Sequence, residues 1–171
     1  MSGRQMIASR TYLEMREPRQ LKAATPPREP ASVRQVKDMT PAAWRELYIR
    51  VGRDHHWVDR LPWSHEEIAA YLEDPAVSLW LLDVGGETAG YFELREHPDG
   101  SVEIAYFGLL RQFHGRGLGG YLLTYATQRA WELSPSRVWL HTSTTDHPAA
   151  LPNYLRRGFT IVKREDYILS V

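Results

Sequence analysis

The order of local patterns between residues 77 and 132 constrains the fold of this chain more than any other feature. Three runs rich in strand-forming residues come first, at 77–84, 87–95 and 101–110. The separators are Gly85-Gly86 and His97-Pro98-Asp99-Gly100, both typical of hairpin turns, so the runs predict an antiparallel meander. A glycine-rich turn at 115–120 follows, after which apolar residues recur with the period of a helix. The sequence therefore predicts strands that lead through glycines into a helix.

Capping signals place two helices before this meander. Thr40-Pro41 is an N-cap followed by proline at the first helical position, and Ser64-His65-Glu66-Glu67 has the form of a capping box. The other predicted elements are strands at 33–36, 137–142, 159–163 and 167–171 and a short helix at 148–157. About seven strands and about four helices predict an α/β (α+β) fold.

Residues 1–32 differ in character from the rest of the chain. Residues 11–15 are consistent with a short strand, but prolines punctuate the sequence that follows, at Pro18, Pro26, Pro27 and Pro30. We therefore expect an N-terminal arm and Pro-rich linker at 1–32 and one domain at 33–171. A chain of 171 residues suits one domain with a substantial core.

Composition excludes several function classes. Lys plus Arg and Asp plus Glu both number 21, so no overall charge attracts nucleic acid or an anionic membrane. The absence of cysteine excludes disulfides, thiolate metal sites and cysteine nucleophiles. The N-terminus lacks the apolar stretch of a secretory signal, and no run approaches the roughly 20 apolar residues that span a bilayer. We therefore expect a cytoplasmic protein without a nucleic-acid or membrane partner.

The glycine-rich turn has the chemistry of an anion site. A helix begins with unpaired N–H groups that carry about half a positive charge, and glycines let the backbone approach a phosphate closely. Arg111 and Arg116 add positive charge at the rim. A nucleotide P-loop is excluded, because Leu118 and Gly119 stand where that motif needs Lys followed by Ser or Thr. The bare dinucleotide pattern matches at 115–120 but follows an antiparallel meander, and a turn that merely joins strand to helix is a further alternative.

The turn resembles the Q/R-x-x-G-x-G/A signature of the GNAT family of N-acetyltransferases, which it matches with Gln112-Phe113-His114-Gly115-Arg116-Gly117. The element order of 33–171 is similar to that of the family. The resemblance implies a central mixed, mostly antiparallel sheet and acetyl-CoA as co-substrate, with the CoA pyrophosphate on the backbone of the turn and the pantetheine arm along the preceding main chain. The cofactor-binding residues that it implies are Leu109, Leu110, Gln112, Phe113, His114, Gly115, Arg116, Gly117, Leu118, Gly119 and His147.

A second family motif, Tyr-x-x-x-Gly-Phe, is matched where Tyr154 precedes Gly158-Phe159. The resemblance implies that the Tyr154 hydroxyl protonates the departing CoA thiolate, a role that suits a phenol with an ordinary pKa of about 10. A core tyrosine is the alternative. The chain departs from the family at His147, where many members carry asparagine. His147 is therefore left with three roles: a cofactor contact, a cap on the next helix, or a solvated loop histidine.

A base is expected near the thioester, because an ammonium must lose a proton before its nitrogen can attack. Glu103 is the leading candidate, since the family often holds a water-relaying glutamate on this strand. Glu93 on the preceding strand is the alternative. A solvent-facing Glu103 is equally consistent with strand alternation.

The resemblance implies that the loop between the first two helices, at 52–63, meets the acceptor, and this loop is unusually aromatic. The predicted substrate-binding residues are His56, Trp57, Trp63 and Glu93. Tryptophans that pin the loop to the core are the alternative. The adjacent His55-His56 does not predict a metal, because neighbouring side chains diverge and no third ligand is suitably spaced.

Together these patterns predict an enzyme that transfers an acetyl group from acetyl-CoA to a primary amine by direct attack through a tetrahedral intermediate, without a metal. A non-catalytic acyl-CoA-binding sensor or interaction module is the alternative, and a nucleotide-dependent oxidoreductase is a third hypothesis. The partner is expected to be a small-molecule or peptide amine. A homodimer is left open, because exposed strand edges in this fold often pair between chains.

Overall fold

The computed structural model describes residues 3–171 and contains one seven-stranded mixed sheet with four helices. The strands are β1 (Gln5–Met15), β2 (Ala31–Val36), β3 (Val77–Val84), β4 (Glu87–Glu96), β5 (Val102–Leu109), β6 (Val138–Ser143) and β7 (Thr160–Ser170). The helices are α1 (Pro41–Gly52), α2 (His65–Glu73), α3 (Leu118–Glu132) and α4 (Ala150–Arg156). The strand order is β2-β3-β4-β5-β6-β1-β7, in which only β5 and β6 run parallel. The predicted fold class is therefore confirmed.

Local signals fix the starts of the first two helices. The Thr40 hydroxyl accepts a hydrogen bond from the Ala43 N–H at 3.2 Å, one turn into α1. At α2, the Ser64 hydroxyl accepts from the Glu67 N–H at 3.1 Å, and the Glu67 carboxylate accepts from the Ser64 N–H at 2.7 Å. Both predicted caps are confirmed, and the Ser64 cap lies where the loop between α1 and α2 ends.

The N-terminal segment differs from the arm that the sequence predicts. β1 is 11 residues long and lies between β6 and β7, antiparallel to both. Leu13 and Met15 on this strand are buried in the core. The partners of β1 lie at the other end of the chain, so no local pattern reveals the pairing. Likewise, the two predicted closing strands form one continuous strand, β7.

The segment at 16–30 crosses from β1 to β2 and packs against the helices. Lys22 N–H donates to the Arg157 carbonyl at 2.8 Å, and Ala24 N–H donates to the Thr124 hydroxyl on α3 at 3.0 Å. Gly158, with φ of 105°, lies so close to this segment that an added Cβ would stand 2.0 Å from the Gln20 carbonyl oxygen. The Pro-rich linker is thus fixed along the end of α4.

A gap opens between the two parallel strands. β5 and β6 pair at Val102 with Val138 and at Glu103 with Trp139, and no further pairs follow along β5. The part of β5 that is paired with β4 alone leads to the glycine-rich turn and to α3. The sheet therefore offers a cleft beside the end of β5.

Among residues 3–171, none of the helices combines the length and apolar character that a membrane crossing requires.

Candidate active site

The glycine-rich turn is built in two parts. Residues Arg111–Phe113 form one 3₁₀ turn, in which Phe113 N–H donates to the Leu110 carbonyl at 2.9 Å and His114 N–H donates to the Arg111 carbonyl at 3.1 Å. Two amides that the resemblance assigns to the pyrophosphate are therefore already bonded inside the turn. The Phe113 side chain is buried, so it anchors the turn to the core.

The second part of the turn leaves its amides available. Within residues 3–171, the N–H groups of Gly115, Arg116 and Gly117 have no protein acceptor, and helix geometry leaves those of the first turn of α3 without one. Gly115 and Gly117 have φ of 74° and 75°, which favours glycine at both positions. The unpaired amides thus run through 115–120. Consecutive free amides at a helix start form a cradle for an anion.

The two arginines of the turn are held by carboxylates. The Arg116 side chain pairs with Glu29 from the Pro-rich segment, with Nε 2.8 Å from Oε2. Hydrogen bonding from Arg116 lowers the pKa of Glu29, so the pair stays ionised. Arg111 lies 3.5 Å from Asp54. The backbone, more than these side chains, therefore offers positive charge to a ligand.

The turn borders a cavity of about 550 Å³, which we call the large cavity. The end of β5, helix α4 and residues 24–25 complete its wall. Leu109 lines it and its carbonyl oxygen lies 3.1 Å from His114 Nε2, whereas the Leu110 N–H is bonded to the Ala89 carbonyl at 2.8 Å. Of the two leucines expected beside the pantetheine arm, Leu109 alone faces the cavity.

His147 lies in the large cavity at the start of α4. Its Nδ1 accepts a hydrogen bond from the Ala149 N–H at 3.0 Å, and its ring centroid is 4.6 Å from that of His114. Desolvation and the neighbouring His114 lower the pKa of His147, so the ring stays neutral and can accept this bond. His147 thus bonds the turn that precedes α4 and lies beside the ligand site, but it does not cap the helix. No three His, Asp or Glu side chains in residues 3–171 are grouped for metal binding.

A second cavity of about 90 Å³, the small cavity, adjoins the large one. The residues that line both are His55, Trp57, Phe107, Asp146 and Tyr154. The two cavities therefore meet beside the candidate acid.

Tyr154 is buried on α4, with its ring against Phe107 and Phe159 at centroid distances of 6.1 and 6.5 Å. Burial, with a smaller effect of the Asp146 carboxylate, raises the pKa of Tyr154 far above that of a free phenol. The Asp146 carboxylate is itself fixed by the Thr142 hydroxyl at 2.6 Å and the Ser143 N–H at 2.9 Å. The hydroxyl of Tyr154 is thus kept protonated between the two cavities.

The structure does not bring the two predicted bases to this junction. Glu93 is fully buried, and its Oε1 accepts hydrogen bonds from Arg60 at 2.8 Å and from Tyr71 at 2.5 Å. It cannot meet an acceptor, and its expected substrate role is wrong for this reason. Glu103 lines neither cavity, and its carboxylate lies 2.9 Å from His97 Nε2.

His141 is a functional candidate that the sequence did not reveal. It lies on β6 and lines the small cavity, with its ring 5.4 Å from that of Tyr12 on β1. The side chain is exposed to solvent beside the cavity. Desolvation by the surrounding protein and the Arg10 charge lower the pKa of His141, which favours the neutral ring at neutral pH. A polar histidine within a buried strand was the available signal.

The residues of the aromatic loop at 52–63 fall into two groups: some line a cavity where an acceptor could bind, and others pack the loop onto the core. His56 and Trp57 line the small cavity. Trp63 does not: it stacks on Trp44 at 5.9 Å and lies under the Arg60 guanidinium at 4.9 Å. The expected contact of Trp63 with a substrate is therefore replaced by the alternative, a tryptophan that pins the loop to the core.

Comparison with known proteins agrees with this geometry. The family model described as Acetyltransferase (GNAT) family matches residues 37–159. A mycothiol acetyltransferase of Corynebacterium aurimucosum is 31% identical over an alignment of 147 positions that covers 70% of this chain and 48% of that protein. An uncharacterised N-acetyltransferase of Lactobacillus delbrueckii is 28% identical, over 63% of this chain and 65% of its own length. The chain thus spans about half to two thirds of the length of these relatives.

Solved structures show the same fold. A GCN5-related N-acetyltransferase from Sphaerobacter thermophilus superimposes with a TM-score of 0.72 at 18% identity, covering 96% of this chain and 52% of that one. A conserved protein from Staphylococcus epidermidis has a TM-score of 0.72 at 20% identity, covering 97% of this chain and 62% of that one. With the family model matching more than half of its length, the chain belongs to the GNAT acetyltransferase family.

Proposed function

We propose that this protein transfers an acetyl group from acetyl-CoA to a primary amine, by direct attack through a tetrahedral intermediate. The observation that carries the proposal is the meeting of the two cavities at Tyr154. One cavity has the size and the anion cradle for the donor, and the other gives an acceptor access to the same point. Membership of the family supports acyl transfer in general.

The large cavity fits coenzyme A by its chemistry. The free amides at 115–120 would hold the pyrophosphate, and the open edge of β5 at Leu109 lies beside the path to Tyr154. Arg156 and Arg157 line the same cavity and add positive charge to its wall. Acetyl-CoA supplies the acetyl thioester. The residues of this chain orient it and manage the protons.

Two proton transfers complete the reaction. The amine nitrogen forms a bond to the acetyl carbon, the carbon–sulfur bond breaks, and the sulfur takes the proton of the Tyr154 hydroxyl. The proton lost by the amine goes to His141, directly or through water. The Glu103 charge favours the protonated form of His141, so Glu103 acts through this histidine in our proposal.

The test is Tyr154→Phe, measured as release of free thiol from acetyl-CoA with a panel of primary amines. Loss of the acid is expected to lower turnover by about 10²-fold or more, because a positioned acid contributes on that scale. The affinity for coenzyme A, measured by calorimetry, should change little. Tyr125→Phe is the matched control, since Tyr125 lines neither cavity.

Full turnover in Tyr154→Phe would remove the tyrosine from its role. If the wild-type protein binds coenzyme A but acetylates no amine of a broad panel, the alternative of a non-catalytic acyl-CoA-binding module replaces the proposal.

A further inference from the structure

We infer that the acceptor carries a carboxylate besides its amine, as amino acids do, and that Arg10 binds this carboxylate in the small cavity. The inference rests on the proposed function and names the substrate class of the same site. It comes from an arginine on β1 whose Nε has no hydrogen-bond partner within residues 3–171, although the guanidinium lies near the Glu165 carboxylate.

Arg10 lines the small cavity but not the large one. Its Nε is buried and has no hydrogen-bond partner within residues 3–171. Its Nη1 lies 3.8 Å from Glu165 Oε1, which is beyond hydrogen-bond length. The guanidinium carbon stands 4.8 Å from the centre of the Tyr167 ring, which holds the group in place. A fixed guanidinium with an unused donor is suited to a planar carboxylate.

The cavity also holds a negative charge for the amine. Asp59 lines it, is exposed, and forms no ion pair within 4 Å among residues 3–171. Asp146 lies at the junction with the large cavity beside Tyr154. The carboxylate at the junction attracts an ammonium to the reacting end, while Arg10 lies in the part of the cavity away from the thioester. Asp146 at the junction and Arg10 in the small cavity therefore order a zwitterion with its amine inward, whereas the Asp59 charge acts on Arg10 itself.

The size of the cavity agrees with a small acceptor. At about 90 Å³, it admits few heavy atoms between the junction and Arg10. An amine without an anionic group would leave the Arg10 Nε unsatisfied, and a buried donor without a partner costs free energy. Recognition of the carboxylate therefore gives both affinity and specificity.

The experiment compares α-, β- and γ-amino acids with their amides as acceptors, for the wild type and for Arg10→Met. The wild type should show a kcat/KM for its preferred amino acid at least about tenfold above that for the matching amide, a ratio typical of one charge-assisted bond. In Arg10→Met this ratio should fall close to one. The ratio is the readout because Arg10 also influences the pKa of His141, which affects both acceptors equally.

Arg164→Met is the matched control, because Arg164 is exposed on β7 and lines neither cavity; it should keep the wild-type ratio. Calorimetric titration of the preferred amino acid into the protein with coenzyme A gives a readout without turnover, and Arg10→Met should weaken it about tenfold. Equal use of amino acid and amide by the wild type, or an unchanged ratio in Arg10→Met, overturns the inference alone. Binding that depends on Arg10 without any acetylation would overturn the proposed function and keep the anion site.

Discussion

Tyr154 and His141 line the same cavity, and their surroundings keep both side chains uncharged. Burial raises the pKa of the phenol and keeps its proton on, while desolvation and Arg10 lower the pKa of the imidazole and favour its neutral form. These protonation states agree with the acid and base roles that we propose, because the acid must carry a proton and the base must lack one at neutral pH.

The pH dependence of the rate tests this assignment. The advantage of the wild type over His141→Gln should be full at neutral pH and should disappear as the pH falls below 6.5, the ordinary pKa of histidine, because the folded-state pKa is lower still. The advantage over Tyr154→Phe should persist to pH 10.0, the ordinary pKa of the phenol, and above. The measurement is kcat/KM against pH with one acceptor, so that the ionisation of the amine cancels in each ratio. A ratio for His141→Gln that does not vary with pH would exclude His141 as the base.

At the scale of single residues, sequence motifs predicted the features that are formed by residues close together in the sequence. The turn and Tyr154 could be found from spacing to nearby glycines, since neighbours in the sequence form those features. Glu93 was assigned to the acceptor because strand alternation cannot show that Arg60, from a distant loop, would cover it. His141 was missed for the same reason: its cavity is formed by residues of β1 and of the aromatic loop.

A buried ion pair between Arg60 and Glu93 is one of the contacts that hold the loop between α1 and α2. The Arg60 guanidinium lies over the rings of Trp63, Tyr71 and Tyr106, at 4.9, 4.4 and 4.0 Å from their centroids. Its Nη1 donates hydrogen bonds to both carboxylate oxygens of Glu93, at 2.8 and 3.0 Å. This clamp fixes the loop whose His56 and Trp57 line the small cavity. The shape of the cavity therefore depends on a contact outside it.

Arg60→Met is expected to destabilise the fold by about 3–5 kcal/mol, because it leaves the Glu93 carboxylate buried without a counter-charge. The double variant Arg60→Met with Glu93→Leu should recover part of this loss, since no uncompensated charge remains. Denaturant unfolding measures both. Arg53→Met, an exposed change in the same loop, is the control and should stay within about 0.5 kcal/mol. Equal stability of the single and double variants would show that the charge is not the cause.

Elements with their own start and stop signals were predicted from sequence, and elements that depend on distant partners were not. The meander and the caps of α1 and α2 follow from glycines, prolines and Thr40 or Ser64 close at hand. β7 was divided into two strands because its charged centre, Lys163-Arg164-Glu165-Asp166, interrupts the apolar pattern. On an edge strand such charges are tolerated, since that edge faces solvent.

In the whole molecule, β1 pairs with β7, so strands near the two ends of the described chain lie side by side in the sheet. The family model begins at residue 37 and ends at 159, so it contains neither β1 nor β7, although solved structures of the fold cover 96–97% of the chain. The predicted domain boundary at residue 32 has a similar cause, because local sequence patterns do not show that β1 pairs with strands far along the chain. We propose that residues 5–171 form one cooperative unit.

Replacing a core residue of β1 tests this unity. Leu13→Ala should cost about 2–5 kcal/mol, because Leu13 is 0% exposed and its removal leaves a void. Ile7→Ala on the same strand should cost about 0.5 kcal/mol or less, since Ile7 is 75% exposed. Both variants should unfold in a single transition, followed by circular dichroism and tryptophan fluorescence. A separate early transition in Leu13→Ala would show that β1 is an appendage.

The position of β1 also has a consequence for biosynthesis. This strand is translated before both of its neighbours, β6 and β7, and strands β2 to β5 lie between them in the chain. Until β6 and β7 emerge, the apolar side chains of β1 cannot be buried in the sheet. Pairing strands that are so far apart in the sequence is slow. The nascent chain must therefore wait for β6 and β7 before β1 can enter the sheet, and exposed apolar surface in that interval is the kind that chaperones bind.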